Sequence, residues 1–364
     1  MLKGKTVAVV VPAYNEEKQI EEVLETIPDF VDRVVVVDDV SVDNTVNIVK
    51  KYIKNSKKHT NGLKRKENIE ENKYSRAEIV LNGLEEKEKD YYAPQEIYSK
   101  NGKDSRIVLI QHSENSGVGA SIASGYRWCK DHNIECTAVM AGDGQMDPNE
   151  LENICMPVVE EGIDYAKANR LKHRSAFFVI PKVRFFGNSI LSLFTKIASG
   201  YWRVSDTQTG FTAISLPALR AIRIYKIYPR YGCPNDILVK LNIAFCTLKE
   251  VESKPVYDIG EESSMNEFLV VPKISWLLFK SFWKRLYVKY LFRDFHPLFI
   301  LYNFGFISIL GALPFGVQIA RAVPLGANLQ WQFFAIFAIL LVLGIQFITL
   351  AMWMDMMDNE RLYK

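Results

Sequence analysis

Carboxylates recur in this sequence where short apolar runs end. The run beginning at Thr6 gives way to Pro12, Ala13, Tyr14, Asn15 and Glu16, and the run beginning at Arg33 gives way to Asp38, Asp39 and Ser41 in VVVDDVSVDNT. If both runs are parallel strands, both sets lie at the carboxyl edge of one sheet, where open α/β sheets bind their ligands. Carboxylates there can accept hydrogen bonds from a nucleoside's base N–H or ribose hydroxyls. Taken alone, the Asp-Asp pair is also ordinary turn chemistry, with Asp43 capping the next helix. Its partnership with residues 12–16 makes it a signal.

Further groups follow the same rule. AGDGQMDP carries Gly142, Asp143 and Gln145, while Asp147 stands where it would cap a helix opening at Pro148. In ENSGVGAS, Gly117 and Gly119 allow close backbone approach at a helix N-terminus, which favours anions; a plain tight turn uses the same glycines. YAKANRL brings Asn169 and Arg170 to the end of another strand, and RFFGN holds Arg184 and Asn188, with Lys172, His173, Arg174 and Lys182 between. A guanidinium fork matches a phosphate bidentately, although each of these cations also suits a plain surface. Asp206 in SDTQTGF and Asp236 in PND are carboxylates with either a catalytic or a structural use. Tyr257, Glu261 and Ser263 in YDIGEESS belong either to a closing loop or to an irregular linker.

The elements that must position these groups are legible as alternating short β-branched runs and longer amphipathic stretches, the pattern of an α/β domain with a mostly parallel sheet. TVAVVV, RVVVVD, RIVLIQ and CTAVMA read as strands, and 17–27, 44–53, 120–130 and 149–161 as helices. Residues 54–105, rich in Lys, Glu and Asn, interrupt the rhythm and are expected to be a surface insertion, helical around 77–88.

Of 364 residues, 48% are hydrophobic and 24% charged, and the formal net charge of +3 is too small to imply nucleic acid. Five cysteines, none in a tight pair, read as reduced thiols of a cytosolic compartment. The short start before the first strand leads us to expect no signal peptide. From Val271 the composition turns to aromatics mixed with Lys280, Lys284, Arg285, Lys289 and Arg293, as in a helix lying on a bilayer surface. Segments 298–320 and 331–354 contain no Asp, Glu, Lys or Arg, and at about 1.5 Å per residue each covers the ~30 Å hydrocarbon core. Trp331 and Trp353 sit at belt positions, and the cations before the first segment place both chain ends in the cytosol.

Taken in order, P-A-Y-N-E, V-D-D-x-S-x-D-x-T, N-x-G-V-G-A and G-D-G-Q-M-D-P resemble the nucleotide-sugar half of the family-2 inverting glycosyltransferases, of GT-A fold (Rossmann-like), over residues 6 to 260. With the basic-aromatic helix and the apolar hairpin, the chain is similar to the polyprenyl-phosphate glycosyltransferases, which include dolichyl-phosphate mannose synthases and undecaprenyl-phosphate sugar transferases. The resemblance implies a GT-A domain at 1–260, an amphipathic interfacial segment at 261–297, a two-helix transmembrane hairpin at 298–354 and a cytoplasmic tail at 355–364.

It further implies a donor site of Pro12, Ala13, Tyr14, Glu16, Asp38, Asp39, Gly117, Gly142 and Asp143, and an acceptor phosphate held by Arg170 and Arg184. Asp206, Asp236 and Asp143 are the implied catalytic carboxylates. In the family's Asp-x-Asp, Ala141 stands at the first position, so a bound Mg2+ or Mn2+ falls to Asp143 and Gln145. The implied partners are a nucleotide-sugar, with UDP favoured, a polyprenyl phosphate and the bilayer. The hairpin also offers sites for a homo-oligomer. Two other readings share the early motifs: a processive polysaccharide synthase, whose Gln-x-x-Arg-Trp pattern none of the six tryptophans meets, and a catalytically silent binder, raised by Ala141.

Overall fold

Valine fills the first two strands, β1 (Val7–Ala13) and β2 (Arg33–Asp38), and every residue of both is buried, as β-branched side chains packed on both faces of a parallel sheet require. Helix α1 (Ile20–Thr26) lies between them and α2 (Thr45–Asn55) follows. Next come α3 (Arg76–Glu88), β3 (Gln95–Tyr98), β4 (Ile107–His112), α4 (Val118–Asp131), β5 (Cys136–Val139) and α5 (Leu151–Val159). After these stand β6 (Tyr165–Asn169), α6 (Ala176–Val179), α7 (Lys182–Ser199), β7 (Thr212–Ser215), α8 (Leu216–Ala221), α9 (Cys233–Ile243) and β8 (Leu248–Glu252). Three long helices follow: α10 (Glu267–Tyr287), α11 (Pro297–Ala322) and α12 (Trp331–Glu360). The computed structural model describes residues 1–55, 72–99, 105–256, 267–322 and 331–364, with the backbone alone at 183–184 and 267–270.

The strands form one eight-stranded sheet in the order β3-β4-β2-β1-β5-β7-β6-β8. Its centre, β4-β2-β1-β5, is parallel, which puts the ends of β1 and β2 side by side with Ala13 opposite Asp38. Two strands run the other way: β3 pairs antiparallel with β4, and β7 lies antiparallel between β5 and β6. Along β1, Val7, Val9 and Val11 enter a core with α1, α2 and α5, while Ala8 and Val10 enter a second core with α4, α8 and α9. The sheet is therefore covered on both faces.

Within the charged insertion, α3 has no buried residue, and β3 adds an edge strand that alternation in the sequence did not disclose. A third cluster, around Leu191, Leu278, Phe282, Leu286, Tyr302 and Ala351, ties α7, α9 and α10 to α11 and α12. Those last two are long and apolar enough to cross a membrane, with mean hydropathies of 1.9 and 2.6. Helix α12 runs past the expected end at 354, and its last turns enter the α/β domain. There Arg285 donates to both oxygens of Asp355, each at 2.8 Å, with all of these groups buried.

Candidate active site

The two signature loops at the ends of β1 and β2 are knit to each other. Asn15, held at a φ of +57°, donates its N–H to Ser41 Oγ at 2.9 Å and accepts the Val42 N–H at 2.9 Å through its side chain. Glu16 N–H donates to Thr45 Oγ1 (2.9 Å), Glu17 N–H to Asp43 (3.0 Å), and Asn44 N–H to the Glu17 carboxylate (3.0 Å). These bonds hold residues 15–17 outside helical geometry, so α1 starts at Ile20 and not at 17. Asp43 accepts both the N–H and the hydroxyl of Thr45 as α2 opens. Much of the sequence signature is thus loop-to-loop stapling. Pro12 and Ala13 are buried in the floor, and Tyr14 stands 49% exposed at the rim.

Asp38 and Asp39 have different surroundings. Asp38 is buried and receives the Ser41 N–H at a long 3.3 Å. Asp39 accepts from His112 Nδ1 (2.8 Å), Ser116 N–H (2.9 Å) and Gly117 N–H (2.7 Å). Burial acts to raise its pKa, but the His112 bond and the two amides outweigh it, and the carboxyl lies below its usual range. Gly117 also meets a different partner from the expected anion. A Cβ at Gly117 would lie 2.6 Å from the Pro229 carbonyl oxygen, and the N–H groups of Gly119 and Ala120 donate to that oxygen at 2.8 and 3.2 Å. The first free amides of α4 are therefore satisfied by the chain itself. In this structure Gly117 and Asp39 latch one another and dock the segment around Pro229.

The turn after β5 lies against the first loop: Gly142 N–H donates to the Pro12 carbonyl at 3.2 Å, and an added Cβ would sit 3.5 Å from Glu16 Cγ. This brings Glu16 beside Asp143. Burial, then the charges of Asp143 and Asp43, push the Glu16 carboxyl up to about 7. Asp143 accepts the Gln145 N–H at 3.0 Å, which fixes the orientation of its carboxylate. Asp147 caps the following turn through Asn149 N–H at 2.9 Å, as its position before Pro148 predicts. Among the described residues no three His, Cys, Asp or Glu side chains form a ready metal cage. Two crowded carboxylates nonetheless fit Mg2+ or Mn2+, which commonly take one or two from the protein and the rest from phosphate and water. Sequence reading placed Glu16 in the donor site but did not show that its carboxylate lies close enough to Asp143 for the two charges to interact.

At the end of β6, Arg170 forks onto Asp206: Nε to Oδ2 at 2.8 Å, Nη2 to Oδ1 at 3.2 Å, and the backbone N–H to Oδ2 at 3.2 Å. Burial would raise Asp206, but the Arg170 charge and hydrogen bonds overcome it and hold the carboxyl below its ordinary value. Lys167 lies beneath, fully buried and donating to the Thr209 carbonyl; burial pushes its pKa down to about 8, with Asp206 partly restoring it. Glu250 completes the floor by accepting from Asn169 (2.8 Å) and the Ser205 N–H (2.8 Å). Sequence reading passed over Lys167 and Glu250. A lysine inside the buried strand YAKAN was the one available sign. Arg170, expected to hold the acceptor phosphate, and Asp206, expected to be a catalytic acid, are thus partners. Asp236 is placed apart from them, paired with Lys240 and accepting Tyr228 N–H at 2.8 Å. Arg184 lies in the first turn of α7, with its side chain outside the described residues, as are Tyr257, Glu261 and Ser263.

Comparison with known proteins bears on this arrangement. The chain is 25% identical over 256 residues to a UDP-N-acetylglucosamine--dolichyl-phosphate N-acetylglucosaminyltransferase of Methanococcus voltae, covering 69% of this chain and 87% of that protein. It is 26% identical over 250 residues to an uncharacterized protein of Methanocaldococcus jannaschii, covering 68% and 81%. Among solved structures, glucosyl-3-phosphoglycerate synthase from Mycobacterium tuberculosis with uridine diphosphate aligns at 17% identity and a TM-score of 0.45, over 78% of this chain and 80% of that one. The model of glycosyl transferase family 2 matches residues 8–73 and 86–223, more than half of the chain and every strand from β1 to β7. The loops that staple the ends of β1 and β2, the turn that carries Asp143 and the Arg170–Asp206 fork all fall within that match, and the chain belongs to family 2 of the glycosyl transferases.

Proposed function

We propose that this chain transfers a sugar from a UDP-sugar to a polyprenyl phosphate at the cytoplasmic membrane surface, with inversion at the anomeric carbon. The observation that carries the reading is helix α7, which leaves the acceptor side of the site inside out. Ser192, Thr195 and Ser199 are buried, whereas Phe186, Ile190, Leu193 and Phe194 are exposed, together with Phe177 and Phe178 just before it. A helix with its apolar face outward fits acyl chains and not water. Helix α10 packs beside α7 and exposes Trp276 and Phe279. An acceptor reaching Arg170 from that side is a membrane lipid. The dolichyl-phosphate acceptor in the name of the Methanococcus relative supports the same class, and its donor makes UDP-N-acetylglucosamine the first sugar to try.

The chemistry suits a phosphate nucleophile. An oxygen of the lipid phosphate bonds to the anomeric carbon as the bond from that carbon to the diphosphate breaks, and the nucleoside diphosphate leaves. A phosphomonoester, with its second pKa near ~6, is already largely a dianion and needs no general base. This agrees with Asp206 being held as an ionised partner of Arg170. Arg170, 23% exposed, remains within reach of an incoming phosphate while Asp206 fixes its plane. Asp143 and Glu16 would hold a divalent ion, which neutralises charge on the departing diphosphate. The rest of the catalysis is positioning.

The test is transfer of labelled sugar from a panel of UDP- and GDP-sugars to a short polyprenyl phosphate, with and without Mg2+ or Mn2+. Asp143→Ala is expected to lower turnover by roughly 100-fold or more. Donor binding without glycolipid from any sugar would sink the lipid-phosphate reading and favour a silent binder.

A further inference from the structure

A second polar cleft lies between α10, α9 and residues 225–229, the segment that Gly119 and Ala120 hold at Pro229. It is a cleft of about 410 Å³ whose polar lining is dominated by Lys226, Lys240, Lys280 and Lys284. Asp236 is the only carboxylate among its lining residues, and it already accepts from Lys240 and the Tyr228 N–H. Lys240 is 8% exposed at the base of the cleft. Burial lowers its pKa, Asp236 opposes this, and the like charges of Lys284 and Lys226 add to the lowering. Lys280 and Lys284 stand four residues apart on α10, where like charges repel and weaken a helix. With Lys240 paired to Asp236, the ammonium groups of Lys226, Lys280 and Lys284 remain to line a concave site for an anion.

The source of that anion is written on the same helix. Trp276 and Phe279, 58% and 52% exposed, stack with ring centroids 5.4 Å apart, and Lys280 Nζ lies 5.1 Å from the Trp276 ring. The cleft therefore lies beside rings of the kind that enter the headgroup layer. None of its lining residues is Arg170, Asp206, Asp143 or Glu16.

We propose that this cleft binds the phosphate-bearing headgroup of an anionic membrane phospholipid and thereby sets how deeply α10 lies in the bilayer surface. The proposal rests on reading α10 as an interfacial helix. The test is native mass spectrometry of the full chain in nonionic detergent, titrated with phosphatidylglycerol and with phosphatidylcholine. Phosphatidylglycerol is expected to be retained preferentially. Lys226→Gln/Lys280→Gln/Lys284→Gln should weaken that retention roughly 100-fold and leave phosphatidylcholine unchanged. Each single substitution should give a several-fold loss, which keeps the test decisive if the triple variant folds poorly. The charge-matched Lys3→Gln/Lys18→Gln/Lys51→Gln should behave as the unaltered chain. Equal retention by the cleft variant, or equal binding of both lipids, overturns the proposal. So does inorganic phosphate competing as well as phosphatidylglycerol, which would mark a free-phosphate site. Polyprenyl phosphate displacing phosphatidylglycerol one for one, with a raised acceptor KM in the variant, also overturns it and assigns the cleft to the acceptor path. Quenching of tryptophan fluorescence by brominated lipids, compared between the unaltered chain and Trp276→Phe, tests the underlying reading separately: Trp276 quenched with no lipid selectivity defeats the cleft alone, and Trp276 unquenched defeats both.

Discussion

Asp39 accepts hydrogen bonds from three donors on β4 and the loop before α4, which leaves its carboxylate little capacity for a ligand. Asp38 beside it makes one long contact. Asp39→Asn is therefore expected to destabilise the fold by ~2–3 kcal/mol, seen as a lowered unfolding midpoint, whereas Asp38→Asn should chiefly raise the donor KM. Equal effects on both readouts would merge the two roles again. Asp206 permits a prediction with a definite sign. Its pKa is depressed in the folded chain, so the Arg170 pair stabilises above the unfolded carboxylate value near ~3.9, and that stabilisation is lost as pH falls through the folded value. Arg170→Gln should cost ~3 kcal/mol at neutral pH by leaving a buried carboxylate without its guanidinium fork, with Lys167 nearby in partial compensation. The gap to the unaltered chain should close only as pH falls below the unfolded value of ~3.9, measured by unfolding at a series of pH values. A gap that persists in acid would mean that lost packing dominates. The sequence marked nearly every residue of this region but not its pairing. Motif spacing brings Asp39, Gly117, Arg170 and Asp206 to one edge. Only the fold shows that Gly117 is held by Asp39, that Arg170 is held by Asp206, and that Glu16 lies beside Asp143.

Among the elements, those with a strong repeating pattern were the legible ones. The valine runs of β1 and β2, the strands β4 and β5, and helices α2, α3, α4 and α5 lie within a few residues of their expected places. What escaped had little pattern to read. The strand β7, TAIS, is four residues long and its direction is set by its neighbours; β3, QEIY, is a mostly exposed edge. Helix α7 was hidden for another reason: it buries Ser192, Thr195 and Ser199 beside Leu191 and Ala198 and exposes Phe186, Ile190, Leu193 and Phe194, so no single apolar stripe points to the core. That exposed apolar face carries its own prediction. Ile190→Lys/Leu193→Lys, at positions 59% and 54% exposed, should leave the unfolding midpoint and donor affinity unchanged. Transfer to an acceptor embedded in vesicles should fall roughly 10-fold or more, because two aliphatic side chains no longer enter the apolar layer. A short, detergent-dispersed acceptor should suffer less. If both acceptors fail equally, α7 shapes the site itself and not its approach to the membrane.

At the scale of the whole molecule, the apolar hairpin is bonded into the catalytic domain by charge and by backbone. Arg285 binds Asp355 with both nitrogens and the Ala198 carbonyl with Nε at 2.9 Å, while Lys289 donates to Asn242 and Asn359 at 3.1 and 2.6 Å. Beyond α12 the chain returns to the sheet: Leu248 N–H donates to the Leu362 carbonyl at 2.7 Å, and Lys364 N–H to the Leu248 carbonyl at 2.9 Å. Residues 362–364 thus pair along the outer edge of β8, an edge that would otherwise present open backbone groups. Tyr363 adds a hydroxyl contact to Glu250 at 3.4 Å, so this pairing reaches the floor beneath Arg170 and Asp206. The two anchors differ in kind and can be separated. Asp355→Ala leaves Arg285 buried without its partner and should cost ~3–5 kcal/mol, whereas Asp355→Leu/Arg285→Met should recover much of that loss, because well-packed apolar pairs replace buried ion pairs at little cost. Removing residues 362–364 should cost less, ~1–2 kcal/mol, but should act locally: the Leu248 amide loses its acceptor and should exchange its hydrogen much faster. If the truncation also raises the acceptor KM while donor affinity holds, the edge pairing positions Glu250 and, through it, the Asn169–Arg170 turn. If exchange at Leu248 is unchanged, the β8 edge is protected by something other than these residues, and the backbone anchor is refuted.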